Sequence, residues 1–181
     1  AGFYVNATQG PYDTHYHMYD YITKELPDIL ETNFNLGKNN SKSICGHSMG
    51  GHGALTIALR EGKENWQSVS AFSPICNPVN CPWGEKAFTS YLGSVEAGKD
   101  HDATNLVQDS KTDIFDDILI DQGTDDNFLK EQLKTEAIVE AAEKKGQKLT
   151  LNMREGFDHS YYFIAAFIEN HVDFHAKYLK E

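Results

Sequence analysis

Between residues 16 and 34, apolar side chains recur at helical spacing (Tyr19, Ile22, Leu26, Ile29, Leu30), which predicts a helix with one face turned to a core. Pro27 lies inside that run and predicts a kink or a junction there. Residues 1–15 read as a loop punctuated by Gly10-Pro11, and "GKNN" at 37–40 predicts a break. Residues 41–48 then predict a short strand entering a turn. A helix rich in small residues (Gly50, Gly51, Gly53, Ala54, Ala58) follows over 49–60, and a second strand over 68–74, stopped by Pro74. Residues 75–110 carry Pro78, Pro82, Gly84, Gly93 and Gly98 and predict loops with short helical pieces. An apolar strand is expected at 116–123, and an amphipathic helix at 133–145 with Gly146 as its cap. The last strand falls at 148–153 and the last helix at 160–178. Strands alternating with helices in this way predict an α/β fold, a mostly parallel sheet flanked by helices.

The length of 181 residues suits a single domain with a real core, and 40% hydrophobic with 12% aromatic residues suits a globular chain. A net charge of −11 argues against nucleic acid and against anionic membrane surfaces, both of which call for a basic face. No apolar run approaches the ~20 residues that span a bilayer. The opening "AGFYVNATQG" has neither the charged nor the apolar region of a signal peptide. Three cysteines (Cys45, Cys76, Cys81) do not make a disulfide scaffold, and reduced thiols are expected.

Chemistry enters at Gly46-His47-Ser48-Met49-Gly50, a G-x-S-x-G sequence set between a predicted strand and a predicted helix. That motif turns a strand into a helix within a few residues and holds a serine at the tip, with glycine expected on both sides for steric reasons. The helix N-terminus brings the Met49 N–H and a positive dipole end near Ser48, so Met49 is the expected oxyanion donor. A serine hydroxyl needs a base, and the base needs an acid to fix its tautomer. Along such chains the acid follows a later strand and the histidine follows the last one. Asp125 and Asp126 both lie in the turn after the third predicted strand, and spacing does not choose between them; Asp121, at a strand end, is less suited. His159 lies between the last strand and the last helix, where the base is expected. His47 and His52 are expected to pack or hydrogen-bond around the turn. His171 and His175, four apart on one helix without a third ligand, read as two partly exposed helix residues and not as a metal site. Trp83 either lines a substrate pocket or anchors its loop.

With these residues in view, "GHSMGGHGAL", "SAFSPICNPVNCPWGEKAF", "ILIDQGTDDNFL" and "FDHSYYFIAAFIENHVDFHAKYL" closely resemble S-formylglutathione hydrolases, also called esterase D. "AGFYVNAT" and "YDYITKELP" match as well, so the resemblance covers essentially the whole chain. It implies an α/β-hydrolase fold, one domain over residues 1–181, and a triad of Ser48, Asp126 and His159. It thereby favours Asp126, which spacing had left open. It implies cleavage of the thioester S-formylglutathione to glutathione and formate, side activity on small carboxylic esters, no cofactor, no metal, a cytosolic location and often a homodimer. The family's first strands and a loop supplying a second oxyanion N–H precede the residues matched here, so the domain is expected to be N-terminally incomplete. The chain alone is then expected to be poorly stable and weakly active unless that segment is present as a separate chain. Two other expectations stand beside this one. One is a general carboxylesterase or acyltransferase on the same fold; the other is a non-catalytic fragment or subunit that lacks the oxyanion loop.

Overall fold

The structure, a computed structural model, describes residues 2–34, 36, 41–110 and 115–179. The break expected at 37–40 lies outside the described residues. The chain enters through a short helix α1 (Met18–Asp20), a π-helical turn (Tyr21–Glu25) and helix α2 (Leu26–Phe34). Pro27 is the second residue of α2, and the turn before it is widened: the Leu26 N–H reaches the Tyr21 carbonyl. The expected disturbance at Pro27 therefore takes the form of one wide turn, which accommodates the missing N–H.

Four strands follow: β1 (Ile44–His47), β2 (Val69–Phe72), β3 (Ile118–Gly123) and β4 (Leu149–Arg154). All pair in parallel in the order β1-β2-β3-β4. Helix α3 (Met49–Glu61) links β1 to β2; α4 (Pro82–Leu92) and α5 (Ala103–Asp109) lie between β2 and β3; α6 (Thr135–Lys145) precedes β4; and α7 (Tyr161–Ala176) closes the chain. The fold is that of an α/β-hydrolase without its first strands. Among the described residues β1 is an edge strand, with only β2 beside it.

The alternation of a pleated strand sends Val69, Ala71, Ile118 and Ile120 to one face of the sheet. There they pack with Leu55 and Ile57 of α3, Val107 of α5 and Ile138 of α6, all buried. Each of the valine, leucine and isoleucine side chains contributes about 1.5–3 kcal/mol by leaving water. The opposite face is covered by α7, where Phe163 meets the edge of Phe72 at 5.6 Å. Both β2 and β3 are buried along their whole length, as central parallel strands are. The region expected to be loops with short helical pieces instead carries the eleven-residue α4. Helix α6 starts two residues later than expected, after Lys134 in the left-handed region (φ 54°), and ends as expected at Gly146 (φ 75°).

Candidate active site

Ser48 stands where β1 becomes α3, with φ 58° and ψ −117°. A non-glycine residue there costs on the order of 1–3 kcal/mol and persists only where its surroundings fix it. They do so here: the Ser48 N–H donates to the Phe72 carbonyl at 2.9 Å, and the Ser48 carbonyl accepts from the His52 N–H at 2.9 Å. The turn is so tight that a Cβ on Gly46 would sit 2.1 Å from the Gly50 carbonyl oxygen. Gly50 is different. A Cβ there meets only the Tyr4 hydroxyl, at 3.7 Å, so the steric need expected on both sides of Ser48 holds on one side.

Asp126 lies in the turn after β3 and is 5% exposed. Its Oδ1 accepts from the Phe128 N–H at 2.9 Å; its Oδ2 accepts from Gln122 Nε2 at 3.2 Å and from His159 Nδ1 at 2.6 Å. Gln122 is fixed in turn by the Thr135 hydroxyl, which donates to its Oε1 at 3.1 Å. Burial alone would raise the Asp126 carboxyl; the hydrogen bonds from His159, the Phe128 N–H and Gln122, with the nearby imidazole, outweigh it and hold it below the ordinary carboxylate range. Asp125 is exposed, and its carboxylate accepts from its neighbour Thr124. The structure thus brings Asp126, and not Asp125, to His159. Asp121 is engaged elsewhere, by Asn152 at 2.8 Å and Arg154 at 2.7 Å.

His159 sits in the loop before α7, and its ring borders a cavity of about 1270 Å³ that Ser48, Met49 and Tyr161 also line. The cavity continues past Ile22, Leu26, Leu30 and Trp66 along β1, so the polar end with Ser48 and His159 occupies only part of it. Among the described residues, neither the Ser48 hydroxyl nor His159 Nε2 forms a side-chain hydrogen bond, so the two border the cavity without a direct link. Such contacts are often long in unliganded proteins and tighten around substrate. Met49 is the first residue of α3, whose N-terminal N–H groups and dipole favour negative charge beside Ser48.

Two rings lie against His159. The His47 ring is 4.6 Å away, centroid to centroid, and the Phe128 ring 5.2 Å away, edge-on. Trp83 does not line the cavity. It packs on Ile75, Cys81 and Leu133 and reaches the site through Phe128, 4.8 Å from its own ring. Spacing placed His47 near the turn but gave no sign that it touches His159; Gln122 and Phe128 had no sequence signal, since their roles depend on the turn at Asp126. His47 is held neutral, its pKa pushed down to about 4 by burial and then by the neighbouring His159. His52 is fully buried, donates from Nε2 to the Phe3 carbonyl at 3.0 Å and is likewise pushed down to about 4 by burial.

The expectation of two partly exposed histidines on the last helix fails for His171, which is 1% exposed. Its ring stacks on Phe72 at 3.7 Å, and its Nδ1 bonds the Ser70 hydroxyl at 2.8 Å. His175 bonds the same hydroxyl at 2.7 Å and Ser68 at 2.7 Å. Beneath α7, β2 and the residue before it present Ser70 and Ser68, so the helix meets polar partners there. Among the described residues no group of three or more His, Cys, Asp or Glu is arranged to hold a metal ion, and all three cysteines are free. Among the described residues no helix is long and apolar enough to cross a membrane.

Comparison with known proteins follows the same lines. The Esterase family model matches residues 1–174. The chain is 53% identical to S-formylglutathione hydrolase of Rattus norvegicus over 182 residues, 99% of this chain and 63% of that protein. It superposes on an S-formylglutathione hydrolase structure from Agrobacterium tumefaciens with a TM-score of 0.93 and 43% identity, covering 99% of this chain and 64% of that one. A ferulic acid esterase structure, 18% identical with a TM-score of 0.74 over 98% of this chain and 64% of its own, shares the fold alone. The chain spans less than two thirds of the length of each of these three proteins.

Proposed function

The chain belongs to the esterase family, and from that premise we propose that Ser48, His159 and Asp126 are the triad of a serine hydrolase that cleaves S-formylglutathione to glutathione and formate. The observation that carries the reading is the 2.6 Å bond from His159 Nδ1 to Asp126, made by a ring that shares its cavity with Ser48. It fixes the tautomer: with the proton on Nδ1, the lone pair on Nε2 is left to act as base.

His159 Nε2 takes the Ser48 proton as Oγ adds to the thioester carbonyl. Asp126 stabilises the imidazolium that forms, and the Met49 N–H bonds the oxyanion. The tetrahedral intermediate collapses, the C–S bond breaks, and glutathione leaves as the thiol with the proton from His159. Water then attacks the formyl-serine, giving up its proton to the same nitrogen, and formate departs as Ser48 regains its proton. A thiolate leaves readily, so the second half of the proton transfer is less demanding than with an amide. One oxyanion donor is worth on the order of 10²–10³ in rate. The family's preceding segment is expected to supply a second, so full activity belongs to the longer protein. The substrate assignment rests on the names of the two close relatives; activity on small carboxylic esters and a cytosolic location belong to the same proposal.

Ser48→Ala is expected to abolish both turnover of S-formylglutathione and labelling by a fluorophosphonate. Near-normal hydrolysis by that variant would end the assignment. Faster turnover of aryl esters than of S-formylglutathione would keep the machinery and replace the substrate.

A further inference from the structure

The Asp126 bond alone does not immobilise His159. One hydrogen bond at Nδ1 leaves the ring free to swing about that contact, and the direction of Nε2 swings with it. His47 is the last residue of β1, next to Ser48, so its backbone is fixed by pairing with Phe72. Its side chain points to the α7 face of the sheet and lays its ring 4.6 Å from that of His159, tilted by 40°. The Tyr161 ring at the start of α7 lies 6.0 Å from that of His47, centroid to centroid. Among the described residues His47 Nε2 is buried without a hydrogen-bond partner, so that edge of the ring serves as a packing surface. Resting on the triad reading above, we infer that His47 is a positioning residue, whose ring holds the His159 imidazole in the orientation that keeps Nδ1 on Asp126 and Nε2 toward Ser48.

The neutral state of His47 suits this role. A charged neighbour at that distance would oppose the imidazolium that His159 becomes during the reaction, and a neutral aromatic face does not. The role asks for a flat ring and makes no use of either nitrogen, which separates it from a hydrogen-bonding or proton-carrying one. Phenylalanine should replace it, and a flexible amide of similar polarity should not.

The test compares His47→Phe with His47→Gln, each checked for a cooperative urea transition, on two readouts. The first is kinetic. His47→Gln is expected to lose about 10- to 100-fold in kcat with KM changed less than about threefold, as for a misplaced catalytic group; His47→Phe should stay within about threefold of wild type. The second is the proton resonance of His159 Nδ1–H, read without substrate. It should persist in wild type and His47→Phe and be broadened by exchange in His47→Gln. Equal behaviour of the two variants, whether both impaired or both normal, would overturn the inference. Because the resonance needs no turnover, the two ideas fail separately: an inactive wild type with the expected resonance pattern would sink the hydrolase reading and leave the placement of His159 by His47 standing.

Discussion

Asp125 and Asp126 share a turn, yet one residue of backbone sends the first carboxylate to solvent and brings the second to an imidazole at 2.6 Å. The chemical consequence is unequal. Asp126→Asn would present an amide to His159 and permit the wrong tautomer, so kcat is expected to fall by about 10⁴ while the fold is kept. Asp125→Asn is expected to leave kcat within about twofold, as surface changes do; steady-state kinetics on the two variants decides it. At this scale the sequence was informative about type and place but not about partners. A turn after an apolar strand pointed to both aspartates, and only a family resemblance separated them, because their burial depends on where Phe128 and Gln122 sit. For His171 the reading failed for a related reason. Its neighbours Ser70 and Phe72 are 101 and 99 positions away, and a helix face gives no hint that the strand beneath it is polar.

Strand β1 and helix α3 meet backbone to backbone, so closely that a Cβ added at Gly46 would lie 2.1 Å from the Gly50 carbonyl oxygen. A methyl group at 2.1 Å cannot be absorbed by a side-chain rotation, so the helix would have to move. Gly46→Ala is therefore expected to destabilise the protein by roughly 3 kcal/mol, and Gly50→Ala by much less; urea midpoints of the two variants check the contrast. Elements were legible to within about two residues where periodicity was strong, as in α6 and α7, and where the G-x-S-x-G turn marked the start of α3. Helix α4 was obscured by its own punctuation. Pro82 is its first residue, where a missing N–H is harmless. Gly84 lies inside it because a Cβ there would fall 2.0 Å from the Pro78 carbonyl. Signals that read as loop are in fact a helix start and a close approach, and nothing local distinguishes the two.

Across the whole molecule, several histidines are carried neutral in the interior. His52, His47 and His175 each have their pKa pushed down to about 4, chiefly by burial. The unfolded chain takes up protons on these rings near their ordinary value of 6.5, so it binds more of them than the folded chain between the two values. Their contribution to stability is complete above about pH 6.5 and declines as the pH falls toward 4. Asp126 and Asp121, held below the ordinary carboxylate range, extend the decline to lower pH. The urea midpoint is thus expected to be lower at pH 5 than at pH 7; a midpoint that does not change across that window would mean the rings titrate normally. The parallel α/β architecture was readable from strand–helix alternation, since each crossover needs its own amphipathic segment. The polar layer under α7 was not, because a buried serine and a surface serine look alike in a sequence.

Among the described residues, the four residues of β1 have a strand beside them on one flank only, and Ser48 follows the last of them directly. The Ile44 and Ser48 amides are anchored to β2, while the alternate amides of a parallel strand turn the other way. Among the described residues, the backbone bonds that hold this corner come from the β2 side. Any give in the pairing of β1 with β2 passes directly to the Ser48 hydroxyl, because the residue follows the last paired position without a spacer.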